Sequence, residues 1–103
     1  MVKMALLHIA LHEGFNNDTV MILVNSKEVF NKPNVKTKLQ IGYADSIEVN
    51  IQEVSVNVKV ILPSRNLSES IDLQVSSSVY LGVSASPKGT INYRISHNPF
   101  GYI

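Results

Sequence analysis

The chain has no cysteine and no tryptophan. Disulfides and thiolate metal sites are therefore closed to it, which suits a reducing cytoplasm although an exported protein can also lack them. A sugar-stacking surface would have to rely on tyrosine. Charge is sparse and balanced, nine basic against eight acidic residues for a net +1. No overall field would draw in nucleic acid or an anionic membrane, and such a contact would need a local patch. No run approaches the roughly 20 apolar residues of a membrane-spanning helix. Lys3 followed by Met4 to Leu11 has the outline of a signal peptide, but His8 interrupts it and no small-residue cleavage site precedes His12-Glu13-Gly14. The expectation is a soluble, cytoplasmic protein. Gly-x-Ser-x-Gly, a glycine-rich phosphate loop and His-Glu-x-x-His are all missing, so the sequence reads as a non-enzyme.

What is present is alternation. In Val54-Ser55-Val56-Asn57-Val58-Lys59-Val60 every second side chain is apolar, the pattern of a half-buried strand. The same period recurs in Ile47/Val49/Ile51, Ile71/Leu73/Val75, Val79/Leu81/Val83 and Ile91/Tyr93/Ile95, which places Tyr93 and Ile95 in phase with the core. Turn formers separate the runs at Gly42-Tyr43-Ala44-Asp45, Pro63-Ser64-Arg65-Asn66, Ser76-Ser77-Ser78 and Ser86-Pro87-Lys88-Gly89, at the spacing of a small sandwich. Met4 to His12 suits a helix by propensity and a strand by the face Ala5/Leu7/Ile9/Leu11. Strand is the consistent choice because every later segment is β. Thr19 to Val24, apolar almost throughout, is expected to be a central strand covered on both faces. Asn25-Ser26 then makes a tight turn, Lys27-Glu28-Val29-Phe30 returns antiparallel, and Asn31 to Asn34 is a loop. Val35, Thr37, Leu39 and Ile41 form a further one-sided strand. These 103 residues thus predict one all-β domain, an antiparallel sandwich of eight or nine short strands, immunoglobulin-like or related. A domain of this size can bury roughly 60–70% of its unfolded surface.

Chemistry-bearing residues are few. His8 and His12 could share a zinc ion on a helix, but on a strand they stand roughly 13 Å apart and cannot. Asn16-Asn17-Asp18 gathers oxygen ligands as a Ca²⁺ loop begins, yet lacks the further acids of an EF-hand and reads better as a turn that caps its own backbone. Asp45 and Glu48 read as turn or solvent-facing residues. Lys27, Lys32, Lys36 and Lys38 form one basic cluster that suits an exposed edge protected from aggregation. Tyr43, Tyr80, Tyr93, Phe100 and Tyr102 are a conceivable stacking set. The tail His97-Asn98-Pro99-Phe100-Gly101-Tyr102-Ile103 leaves the β-pattern with three large apolar side chains.

Gly14-Phe15, Asp18-Thr19-Val20, Val24-Asn25-Ser26-Lys27-Glu28-Val29-Phe30, Leu39 to Ser46 and Pro99-Phe100-Gly101-Tyr102 together resemble small stand-alone bacterial proteins of unknown function. The hairpin alone resembles one common in immunoglobulin-like and carbohydrate-associated sandwiches. This resemblance implies a fold and transfers no catalytic residue. The reading is a non-enzymatic interaction module without cofactor or metal. It would meet a protein partner, or its own copy, at a sheet edge or through Phe100 and Tyr102, with Lys32, Lys36 and Lys38 as further contacts. The alternatives are a carbohydrate- or Ca²⁺-dependent ligand module and a small metal-dependent or Ser/His hydrolase.

Overall fold

A computed structural model of the chain describes residues 5–52, 55–75 and 78–98. The predicted all-β sandwich is present. Its strands are β1 (Ala5–Leu11), β2 (Asp18–Val24), β3 (Lys27–Val35), β4 (Asp45–Ile51), β5 (Ser55–Leu62), β6 (Leu67–Gln74), β7 (Val79–Ala85) and β8 (Ile91–Ser96), with a 3₁₀ turn at Pro63–Arg65. One sheet has the order β4-β1-β7-β8 and the other β3-β2-β5-β6. Hairpins β2-β3, β5-β6 and β7-β8 stay within a sheet, and every other connection crosses between sheets.

The alternation reports the core faithfully. Leu7, Ile9 and Leu11 of β1, Val56, Val58 and Val60 of β5, and Val79, Leu81 and Val83 of β7 are each at most 2% exposed. They meet in one apolar cluster with Val20, Ile22, Phe15 and Ile71. Fully burying one such aliphatic side chain contributes about 1.5–3 kcal/mol. The ambiguous first run is a strand because Leu7, Ile9 and Leu11 all face this cluster, a burial that its helix propensity does not offset.

Turn chemistry also behaves as read. Asn25 and Ser26 both have positive φ, 50° and 68°, as a type I′ hairpin turn demands. Asn66 takes φ 55° to leave the 3₁₀ turn and enter β6.

Four expectations need correction. First, the sandwich is not wholly antiparallel, since β1 lies between β4 and β7 and runs parallel to β7. Local alternation carries no information about partners some 70 residues apart. Second, β2 is central in its sheet but covered on one face only. Val20, Ile22 and Val24 are buried while Thr19, Met21 and Leu23 are half-exposed, because a two-layer sandwich leaves each sheet an outer face. Third, Asn31-Lys32-Pro33-Asn34 is not a loop but part of β3, where the register to β2 slips. Fourth, the expected strand from Val35 to Ile41 is absent, since Val35 closes β3 and the residues after it form no strand. The chain beyond Val35 turns back through a single bridge, Lys38 to Tyr43, and Leu39 at the tip is 91% exposed. Thr37 explains this departure. Its hydroxyl donates to the His12 carbonyl (2.6 Å) and accepts from the Phe15 N–H (3.0 Å), so the segment is tied to the β1-β2 connection rather than to a neighbouring strand.

Candidate functional site

Asn16, Asn17 and Asp18 serve the fold. Asp18 is 4% exposed and receives Arg65 in a two-pronged contact, Nε to Oδ1 at 2.9 Å and Nη2 to Oδ2 at 2.7 Å. The Asn16 N–H donates to Oδ2 at 2.8 Å, the turn cap expected of this residue type. Burial alone would raise the Asp18 pKa. The hydrogen bonds from Arg65 and Asn16, with the guanidinium charge, outweigh burial and hold the carboxyl below its ordinary value. Arg65 also donates to the Gly14 carbonyl at 2.8 Å. Gly14 has φ +88°, and a Cβ there would lie 1.7 Å from the Ala85 carbonyl oxygen, so only glycine fits between the layers at this end. A carboxylate committed in this way is a structural pin and is poorly placed to ligate Ca²⁺.

The lysine cluster is divided. Lys32 on β3 donates to Asp45 at the start of β4, 2.7 Å away, which raises the lysine pKa through the hydrogen bond and then the charge. Burial pushes Asp45 up, but Lys32, the Ser46 N–H and the charges of Lys32 and Lys38 bring it below its ordinary value. Lys32 and Lys38 thus both act on Asp45, while Lys36 is exposed beyond β3. Phe100 and Tyr102, the other predicted contacts, lie outside the described residues.

His8 occupies the outer face of the β1 sheet, and His12 follows the end of that strand. His8 Nδ1 is 3.2 Å from Glu48 Oε1, and its ring stacks on Tyr80 with centroids 4.3 Å apart and planes 12° from parallel. Both neighbours follow from register, since Glu48 and Tyr80 are the residues opposite His8 on β4 and β7. Burial and then the charge of Arg94 lower the His12 pKa, against a smaller pull from Glu13. Among the described residues no three His, Cys, Asp or Glu side chains are grouped as a metal ion requires. Nor do the tyrosines assemble. Tyr80 is on the outer face, Tyr93 follows the inward phase opposite Val83, and Tyr43 bonds Ser46 at 3.0 Å beside β4. An open groove of about 340 Å³ lies between the sheets where β2-β3 meets the end of β4, with Val24, Val29, Val49 and Ile51 in its lining and Asn25 and Lys27 among its polar residues.

A further candidate is the edge strand β8. Its inward-phase residues were expected in the core, and only Ile91 is buried. Tyr93 is 48% and Ile95 46% exposed, because β8 ends its sheet and no described strand lies beyond it. The direction of its main chain can be fixed. The Val83 carbonyl accepts from the His12 N–H (2.7 Å), and the Ala85 N–H donates to the Glu13 carbonyl (2.9 Å). The main-chain groups of Val83 and Ala85 therefore face β1. Antiparallel strands alternate between bonded and non-bonded opposite pairs, so Tyr93 and Ile91, which stand opposite Val83 and Ala85, turn their N–H and C=O away from β7. The Ser86 N–H to Thr90 carbonyl bond (2.8 Å) sets the same phase from the hairpin end, and Ile95 follows by alternation. Among the described residues nothing pairs with this edge, which presents three main-chain units whose residues also carry the strand's large apolar side chains.

The other edges are blunted. Both register slips of β3 put the extra residue on β3 itself, which also carries Pro33 and Lys32. β4 has Asp45 clasped to Lys32 and Glu48 to His8. β6 shows solvent Ser68, Ser70, Asp72 and Gln74 and has Glu69 in its inward phase opposite Val60. Bulges, proline, lysine and inward charges are the usual means of preventing edge-to-edge pairing, and β8 has none of them. Sequence reasoning missed this site because nothing in Ile91-Asn92-Tyr93-Arg94-Ile95-Ser96 reveals which strand ends a sheet. No protein-family model matches the chain, and a comparison with curated proteins gives no significant match.

Proposed function

We propose that this protein is a non-enzymatic interaction module that accepts an extended segment of a protein partner as an added strand along β8. The supporting observation is that Ile91, Tyr93 and Ile95 aim their main-chain groups at the open edge while Tyr93 and Ile95 leave about half their surface in water. Strand addition uses the main chain for affinity and alternate side chains for specificity. The sequence of β8 keeps Arg94 as its one charged residue, so nothing on the strand repels an incoming backbone.

Amide hydrogen exchange with a synthetic alternating Thr-Val peptide tests this reading. In protein dilute enough to be monomeric, and before peptide is added, the amides of Asn92, Arg94 and Ser96, bonded to β7, exchange slowly, and those of Tyr93 and Ile95 exchange fast. Excess peptide slows Tyr93 and Ile95 and leaves the slow set unchanged. Unchanged exchange at both, with peptide bound elsewhere or not at all, would remove the reading.

A further inference from the structure

Resting on the strand-addition reading, we infer that the partner strand is β8 of a second copy, paired antiparallel about a two-fold axis at Tyr93. A homodimer edge must be self-complementary, with each residue opposite a partner it tolerates in both directions. In the register centred on Tyr93, Ile91 faces Ile95 of the second copy, Tyr93 faces Tyr93, and Asn92 faces Arg94.

The neighbouring registers fail. Hydrogen-bonded pairs require residues whose main chains both face the edge, which here are Ile91, Tyr93 and Ile95, so register can change only in steps of two residues. Centring on Arg94 would place two guanidinium groups directly opposite, a like-charge pair that destabilises, and would leave Ile91 beyond the pairing. Centring on Asn92 places Ile95 opposite Gly89 in the turn. The Tyr93 register alone retains three apolar pairs on one face and sets each Arg94 against a neutral amide. It joins the two four-stranded sheets into one sheet of order β4-β1-β7-β8-β8-β7-β1-β4 and brings the exposed halves of Tyr93 and Ile95 into cross-strand contact.

The absence of cysteine makes the register directly measurable. In a hydrogen-bonded antiparallel pair the opposite Cα atoms are about 5.5 Å apart, within disulfide reach. Under mild oxidation Tyr93→Cys therefore cross-links to itself rapidly, whereas Ser96→Cys, whose copies lie roughly 20 Å apart in this register, does not. The unmodified protein sediments as a concentration-dependent dimer. Tyr93→Lys and, separately, Ile95→Lys sediment as monomers with unchanged far-UV circular dichroism, and two variants guard against one failing to fold. In the dimer the amides of Tyr93 and Ile95 gain protection as concentration rises.

A monomer at all accessible concentrations that still protects Tyr93 and Ile95 when the Thr-Val peptide binds would overturn the second-copy inference and leave strand addition standing. A monomer with no peptide protection would overturn both. A dimer that survives both lysine variants and cross-links faster through Ser96→Cys than Tyr93→Cys would place the interface elsewhere and overturn this register.

Discussion

The strands β3 and β8 each end a sheet, yet they meet solvent in opposite ways. β3 bends away through two bulges, loses a donor at Pro33, and ties Lys32 across the layers to Asp45. β8 is short, regular in register with β7 and leaves Tyr93 and Ile95 half exposed. Proline and irregularity cost a strand some of its ladder hydrogen bonds and lysine sets a solvated charge against an incoming strand, and most edges accept such costs to avoid association. An edge without them stands out against its own molecule, which is stronger grounds for an interface than the mere presence of exposed apolar surface.

The largest expected effect lies at the pinned end that both sheets share. Asp18→Ala should lower unfolding free energy by about 2–3 kcal/mol, short of the roughly 3–5 for a fully buried pair, because the Arg65 side chain keeps 27% exposure. Urea unfolding would measure it. If association through β8 persists in this weakened fold, edge and pin are independent.

Acid tests the same pin. The Asp18 carboxyl titrates below its ordinary value in the folded chain, so on acidification the unfolded chain, with its carboxyl near about 3.9, takes up the proton first. The stability contributed is fully present above about pH 4 and is lost as pH falls through the folded value. Asp45 acts in the same direction. Urea midpoints at acid and neutral pH should therefore converge more in Asp18→Asn than in the parent, and an equal pH dependence in both would contradict the assignment.

Next in size is the reversal of edge behaviour. Guarding β8 with Ile95→Lys should abolish association while changing stability by less than about 1 kcal/mol, since the site is already half in water. Unguarding β3 with Lys32→Thr and Pro33→Val should do the reverse and produce concentration-dependent light scattering from a second adhesive edge. If the β3 variant stays as soluble as its parent, the contrast between the edges is not one of guarding. The smallest effect belongs to Leu39. As an inward residue of a strand it would cost about 2–5 kcal/mol on truncation, but at a 91% exposed turn tip Leu39→Ser should leave stability within about 0.5 kcal/mol.

The errors in reading Leu39, Tyr93 and Ile95 share a cause. Alternation shows that one side of a strand is apolar but not whether the opposite layer extends far enough to cover it. Leu39 lies where Thr37 has pulled the chain into a turn, and Tyr93 and Ile95 lie at the rim, where only one neighbouring strand shields them. Of the four lysines expected on an exposed edge, Lys27 and Lys32 are on β3 while Lys36 and Lys38 lie beyond it, and Lys32 is taken up by Asp45, a pairing between residues on different sheets that no local pattern announces. Asp18 was legible as a turn cap, but its Arg65 partner arrives from a 3₁₀ turn 47 positions away.

By itself the sequence determined the class of fold, most strand positions, the hairpin turn at Asn25-Ser26 and the inward faces of β1, β5 and β7. Each is set by forces between residues close in the chain: two-residue hydrophobic period, backbone preferences of Asn and Gly, and the short reach of turns. Tertiary structure alone decided sheet order, the parallel β1-β7 pair, the Asp18-Arg65 pin and the identity of the open edge. Those depend on which distant segments share hydrogen bonds and which side of each sheet the other covers, and such relations have no local signature because loop closure joins segments almost regardless of the residues between them.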